Sequence, residues 1–163
     1  MLWGRAAVTP ASARGPILFY DRNEPYYGFT NFSAHPVRYN GKEYPTSEHL
    51  FQAMKFLDTR PDIAEKIRTT SRSPRDAFEL AHVYKAHEHP AWLKMNIEKM
   101  EIVVWHKFTQ HESLKRELLG TGDAELIEDS AADAFWGIGA DGQGRNELGK
   151  ALERLRSKLR GGK

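Results

Sequence analysis

The stretch Val37-Arg38-Tyr39-Asn40-Gly41-Lys42-Glu43-Tyr44-Pro45-Thr46-Ser47-Glu48-His49 decides how this chain is read. Asn40-Gly41 favours positive φ at both central residues of a type I′ turn, so the flanking triplets pair as a hairpin. Thr46 follows as a helix N-cap, because its hydroxyl accepts one of the N–H groups that a first helical turn leaves free. The spacing predicts a helix from there through Leu57.

Reading outward toward the start, Ile17-Leu18-Phe19-Tyr20 is a short apolar run expected as a buried strand. Residues 21–34, rich in Tyr, Asn, Pro and Gly, read as a long loop. Toward the end, Pro61 opens a short helix to about Arg68, and Ser73-Pro74-x-Asp76 opens another to about Ala86. Pro90 introduces a long helical stretch with Leu93, Ile97, Met100 and Val104 on one stripe, Trp105 and Phe108 also in the core, and a break near Thr109 to His111. A second piece ends at Gly120, read as the C′ residue. Leu126-Ile127-Glu128 is a small strand, and the last helix starts near Asn146 with Leu148, Leu152, Leu155 and Leu159 on one face. Strands first and helices after give an α+β fold. The expectation is a single compact, mostly helical domain over 16–160 with a small antiparallel sheet. Residues 1–15 read as a disordered tail. Their acid-poor Ala/Ser/Arg composition also gives a weak transit-peptide signal.

Composition narrows the chemistry. The chain has 163 residues, no cysteine, and 24 Lys+Arg against 22 Asp+Glu for a formal net charge of +2. That length fits one domain able to bury a core without staples. The absent cysteines exclude disulfides, thiolate zinc, iron–sulfur clusters and a cysteine nucleophile, and fit a reducing compartment. No apolar run reaches the roughly 18 residues of a membrane span. A monomer in the cytoplasm, or the nucleus, is the expectation.

The helix after Thr46 carries the first candidate site. At about 100° per residue, Leu50, Ala53, Met54 and Leu57 share one side, and Glu48, Gln52 and Lys55 share the other, flanked by Phe51 and Phe56. Such a row is ordinarily a solvated face. Here large aromatics border it, and Glu48 lies in the first turn, where the helix dipole favours a carboxylate. Glu48 and Lys55 stand roughly 10 Å apart along the axis, which leaves room for a substrate between them. Burial among aromatics would lower the lysine pKa and make its amine a nucleophile.

Residues 133–149 form the second candidate. Gly137, Gly139 and Gly142 match G-x-G-x-x-G, but no strong strand precedes them and no βαβ unit fits, so the dinucleotide fingerprint is rejected. Glycines before a helix N-terminus still suit an anion, which places a phosphate or pyrophosphate near Gly142, Gly144, Arg145 and Asn146. Trp136 is placed to stack on a base or sugar, and Asp133 to act as a second carboxylate facing Glu48. His82, His87 and His89 lack the spacing and carboxylates of a metal site and read as surface residues, so no metal and no cofactor is expected. Ser47-Glu48-His49 is no triad, because adjacent residues cannot form the relay.

These stretches resemble the NADAR family, the YbiA-like N-glycosidases. The resemblance rests on Phe19-Tyr20, Phe29-Thr30-Asn31-Phe32-Ser33, the block from Asn40 to Phe56, Trp92, Lys107-Phe108, Asp133-x-x-Trp136-Gly137, and Gly142-x-Gly144-x-Asn146-x-Leu148-Gly149. It spans about residues 17–158. The segment from Arg60 to His89 matches poorly, and Thr30 stands where the family often has Ser. The resemblance implies cleavage of a ribose N-glycosidic bond with no metal. Glu48, Lys55 and Asp133 would be catalytic. Tyr20, Asn31, Phe32, Ser33, Gln52, Trp92, Trp136, Gly137, Gly142, Gly144, Arg145 and Asn146 would hold the ligand. Two substrates fit: ADP-ribosylated guanine in nucleic acid, or a phosphorylated pyrimidine riboside amine of the riboflavin pathway. The exposed aromatics and the glycine loop favour the first. A non-catalytic ADP-ribose or NAD reader is the other class.

Overall fold

The computed structural model describes residues 15–161, so the N-terminal segment read as a tail lies, apart from its last residue, outside the described residues. The strands are β1 (Ile17–Phe19), β2 (Val37–Tyr39), β3 (Lys42–Tyr44) and β4 (Leu126–Glu128). The helices are α1 (Ser47–Met54), α2 (Pro61–Thr69), α3 (Pro74–Val83), α4 (Trp92–Gln110), α5 (Glu112–Gly120) and α6 (Glu147–Gly161). The fold is α+β and mostly helical. Among the described residues no helix is long and apolar enough to cross a membrane.

The hairpin forms as expected. β2 and β3 pair antiparallel, with Asn40 at φ 51° and Gly41 at φ 80°. A second, parallel pair joins β1 to β4 with Phe19 opposite Glu128. β1 is not wholly buried: Phe19 points into the core, whereas Leu18 and Tyr20 are about half exposed.

α1 sits at the centre, and every one of its eight residues is buried. Its start is locked by one reciprocal pair. Thr46 Oγ1 accepts the His49 N–H at 3.2 Å and lies 2.8 Å from His49 Nδ1, while His49 Nε2 lies 2.8 Å from Ser71 O. These distances fit a ring protonated on Nε2, which donates to Ser71 O and receives the Thr46 hydroxyl proton on Nδ1. The same pair ties α1 to the chain ahead of α3. The helix ends at Met54, short of Leu57, because Lys55 donates to Gln52 O and Phe56 to Ala53 O, i→i−3 bonds that tighten the last turn.

α4 breaks at His111 as expected, but its buried stripe is Trp92, Asn96, Met100, Val103, Val104, Lys107 and Phe108. Leu93 is 84 % exposed and Trp105 lies at the surface beneath the Lys158 ammonium. Met100, Val104 and Phe108 are buried as expected, whereas in the first two turns Trp92 and Asn96 take the inward positions in place of Leu93 and Ile97. After α5 the left-handed residue is Gly122 at φ 63°, two positions beyond Gly120. α6 places Leu148, Leu152 and Leu155 in the core as its spacing predicts. Gly149 allows α6 to lie against β4, since a Cβ there would collide with Leu126 O.

Candidate active site

A cleft of about 490 Å³ opens between α1, the start of α4, the 21–34 loop and the loop before α6. Of the expected site residues it is lined by Tyr20, Asn31, Phe32, Glu48, Gln52, Lys55, Trp92, Asp133 and Trp136. Glu48, Gln52 and Lys55 therefore line a cleft rather than a flat solvated face.

The first turn of α1 is built from both sides. Asn31 O accepts the Glu48 N–H at 3.0 Å, which satisfies one free donor of the helix start. Ser47 Oγ donates toward Asn31 O at 3.2 Å and lies 3.3 Å from Asn31 Oδ1, and Asn31 Nδ2 contacts Met100 Sδ at 3.4 Å. Lys107 fixes this loop from behind. Its buried ammonium donates to Gly28 O and Thr30 O at 2.6 Å each and to Ser33 Oγ at 2.9 Å. Ser33 is thus spent on Lys107 and does not line the cleft, contrary to expectation.

Glu48 is 7 % exposed, and its Oε2 accepts from Gln52 Nε2 at 2.7 Å. Burial pushes its pKa up and Asp133 adds to that. Gln52, Lys55 and Asn31 oppose the rise by favouring the carboxylate. Lys55, at the C-cap of α1, has its Nζ 5.8 Å from the Trp92 ring centroid. Burial lowers its pKa, Lys85 adds to that, and Glu88 and Glu48 work against it. Phe51 carries the aromatic wall, with ring centroids 5.4 Å from Trp92 and 5.2 Å from Trp136. Asp133 Oδ1 accepts the N–H groups of Phe135 and Trp136 at 2.9 and 2.8 Å, so it also shapes the turn that presents Trp136.

The glycine segment does not supply the expected anion site. The Glu147 and Leu148 N–H groups at the start of α6 already donate to Phe135 O and Trp136 O. The donors that would hold a phosphate are consumed by the loop itself. Gly137 and Gly144 are packing positions: a Cβ on Gly144 would meet Gly137 O and Ile138 C at 2.6 Å. Gly142 lies at the surface with nothing near it, and Arg145 pairs with Glu147 and covers the Phe135 ring. Asn146, at φ 53°, acts as a strand substitute: its Nδ2 donates to Leu126 O and its Oδ1 accepts the Glu128 N–H. None of Gly137, Gly142, Gly144, Arg145 and Asn146 lines the cleft.

Sequence reading passed over Arg22, Arg75, Phe78, Ser130 and Glu128, all of which line it. Arg75 and Phe78 come from α3, and the Arg75 guanidinium lies 5.8 Å from the Phe32 centroid. Gln52 Oε1 and Glu128 Oε1 are shielded from water and bonded to nothing. No group of three or more His, Asp and Glu side chains suited to a metal occurs among the described residues.

Fold and cleft together define a class: an α+β domain whose central buried helix brings a carboxylate and an amine to one aromatic-walled space. The NADAR domain model matches residues 18–160, and the chain belongs to that family. It is 40 % identical over 143 residues to the N-glycosidase YbiA of Escherichia coli, covering 88 % of each chain. An N-glycosidase of Nostoc punctiforme is 33 % identical, with 88 % of this chain and 92 % of that one covered. A riboflavin biosynthesis protein of Vibrio vulnificus is 40 % identical, with 88 % of this chain but only 38 % of that longer protein covered. The NMR structure of E. coli YbiA superposes with a TM-score of 0.81 at 38 % identity, covering 93 % of this chain and 87 % of that one.

Proposed function

We propose that the chain is a hydrolase of ribosyl N-glycosidic bonds, with the sugar seated over the Glu48, Gln52 and Lys55 row. The observation that carries this reading is that row itself: a buried carboxylate and a partly desolvated amine facing one cleft, with the Gln52 acceptor left open for a sugar hydroxyl. As the C–N bond breaks, positive charge grows on the anomeric carbon, and an ionised carboxylate at Glu48 stabilises it. The Lys55 amine attacks that carbon as the base departs. The resulting glycosylamine opens to an imine, and water hydrolyses it to free sugar and free amine. Asp133 orients the water, and Trp92 and Trp136 flank the sugar or base.

The substrate in this reading is ADP-ribosylated guanine in nucleic acid, with ADP-ribose released. The glycine loop no longer contributes, and the anion contacts fall to Arg22 and Arg75, which lack a carboxylate partner among the described residues and stand beside exposed Tyr20 and Phe78. A second substrate, a phosphorylated pyrimidine riboside amine, is favoured by the riboflavin biosynthesis name of the Vibrio relative. Parallel incubation with guanine-ADP-ribosylated oligonucleotide and with the pyrimidine riboside amine, followed by mass spectrometry, separates them. Release of ADP-ribose supports the first and release of ribose phosphate the second. Turnover of neither overturns the hydrolase reading and leaves a binding module.

A further inference from the structure

Bond cleavage at a ribosyl nitrogen needs a proton for the departing base, and the Glu48/Lys55 row does not identify its donor. Burial and Asp133 push the Glu48 pKa up as well, but Gln52 donates to its Oε2 and Lys55 stands near, and both pull it back toward the carboxylate. Glu128 is raised by burial and by its carboxylate neighbours with no such donor to oppose the rise. It closes β4, and its backbone is held on three sides: the N–H by Asn146 Oδ1 at 2.9 Å, the C=O by Ile138 N–H at 3.1 Å, and the strand by pairing with Phe19. Its side chain faces the cleft with Oε1 out of water and unpartnered.

The carboxylates that face it discourage ionisation, and no hydrogen bond or ion pair to Glu128 from a cation offsets them among the described residues. Asp133 and Glu48 face it across the cleft, and burial together with these two carboxylates pushes the Glu128 pKa up to about 8. Lys55 lies against the Trp92 ring, and Glu88 and Glu48 both act on its charge. From α6, Glu153 accepts the Leu126 N–H, and Glu147 is engaged by Arg145 and Lys150. Beyond β1, Asp21 and exposed Arg22 stand on the rim. Of two carboxyl groups in one site, the one without donors to its charged form is the better acid and the one with them the better base.

We propose that Glu128 is a further catalytic residue of this cleft: it enters the reaction as a neutral acid and donates its proton to the nitrogen leaving the sugar. The C–N electron pair goes to that nitrogen, which takes the Glu128 proton. Glu128 is left as a carboxylate and recovers a proton from the water that completes hydrolysis. This rests on the hydrolase reading above, and Glu48 and Lys55 keep the roles given there.

The test joins two measurements on the full chain. Infrared difference spectra across a pH titration should show the carbonyl stretch of a protonated carboxylic acid in wild type at neutral pH, lost in Glu128→Gln. In turnover, Glu128→Gln should lower kcat about 100-fold or more, the contribution of a positioned general acid. The alkaline fall of the wild-type rate should vanish in the residual activity of the variant. A missing acid band overturns the proposal, as does a variant kcat within about threefold of an active wild type, since that range lies far below a general acid's contribution. A wild type that shows the band but turns over neither substrate overturns the hydrolase reading instead.

Discussion

Replacing Lys107 by methionine tests how the cleft is held open to its ligand. The lysine is fully buried with no carboxylate beside it, and its three bonds go to Gly28 O, Thr30 O and Ser33 Oγ. Methionine keeps the volume and removes every donor. Hydrogen bonds from a charged group contribute about 1.5 kcal/mol or more each, so their loss comes to roughly 4–5 kcal/mol. Relief of the buried charge offsets part of this, since desolvating an ammonium costs several kcal/mol. The net expectation is destabilisation by about 2–3 kcal/mol, or a Tm lower by roughly 5–10 °C at this chain length. Burial pushes the Lys107 pKa from 10.5 down to about 7. The unfolded chain therefore binds more protons between those values, so this lysine's contribution raises stability as pH rises from about 7 toward 10.5. Urea unfolding at several pH values should show that slope in wild type and a flatter one in Lys107→Met. Because the released loop carries Asn31 and Phe32, KM should rise on the order of tenfold, equivalent to about 1.4 kcal/mol of binding, with kcat less affected. A variant as stable as wild type, or one destabilised with KM unchanged, would refute the assignment of Lys107 as the brace of the ligand loop.

Borohydride added during turnover should link the sugar to Lys55, seen as a mass increase on the peptide that contains it. Lys55→Ala should give no adduct and lose activity by at least about 100-fold, and an active Lys55→Ala enzyme removes the covalent route. Arg75→Ala should raise KM about tenfold for a phosphate-bearing substrate while sparing kcat, and should leave a phosphate-free analogue unaffected. Gly144→Ala forces a methyl into three backbone atoms, so thermal unfolding should show a loss of about 2 kcal/mol. At low temperature its KM should match wild type, whereas a phosphate-binding role for that glycine predicts weaker binding.

What the sequence disclosed depended on how local the physics was. The hairpin at Asn40-Gly41 and the caps at Thr46 and Ser73 are set by residues within three positions of each other, and all three form as read. The row Glu48, Gln52 and Lys55 was legible because helical periodicity alone aligns it. The glycine segment misled because its decisive contacts are carbonyls: those of Phe135 and Trp136 take the α6 donors, and nothing in the composition announces that. Glu128 was visible only as a strand residue. Its place in the cleft depends on β1 and β4 pairing across more than a hundred residues, and on Asn146 standing in for a missing strand. Lys107 drew attention only through resemblance, since a lysine on a long helix is ordinarily solvated. Arg75 and Phe78 lie on α3, where no motif pointed to them.

The parallel ladder between β1 and β4 has a temporal consequence. Tyr20 and Arg22 precede Glu128, Asp133 and Trp136 by more than a hundred residues and so leave the ribosome well before them. A nascent chain that stops short of β4 has one wall of the pocket and lacks the wall that Glu128, Asp133 and Trp136 supply. Two fragments split within the 121–125 turn, each silent alone, should regain turnover only on mixing, which makes the fold a natural scaffold for a complementation reporter.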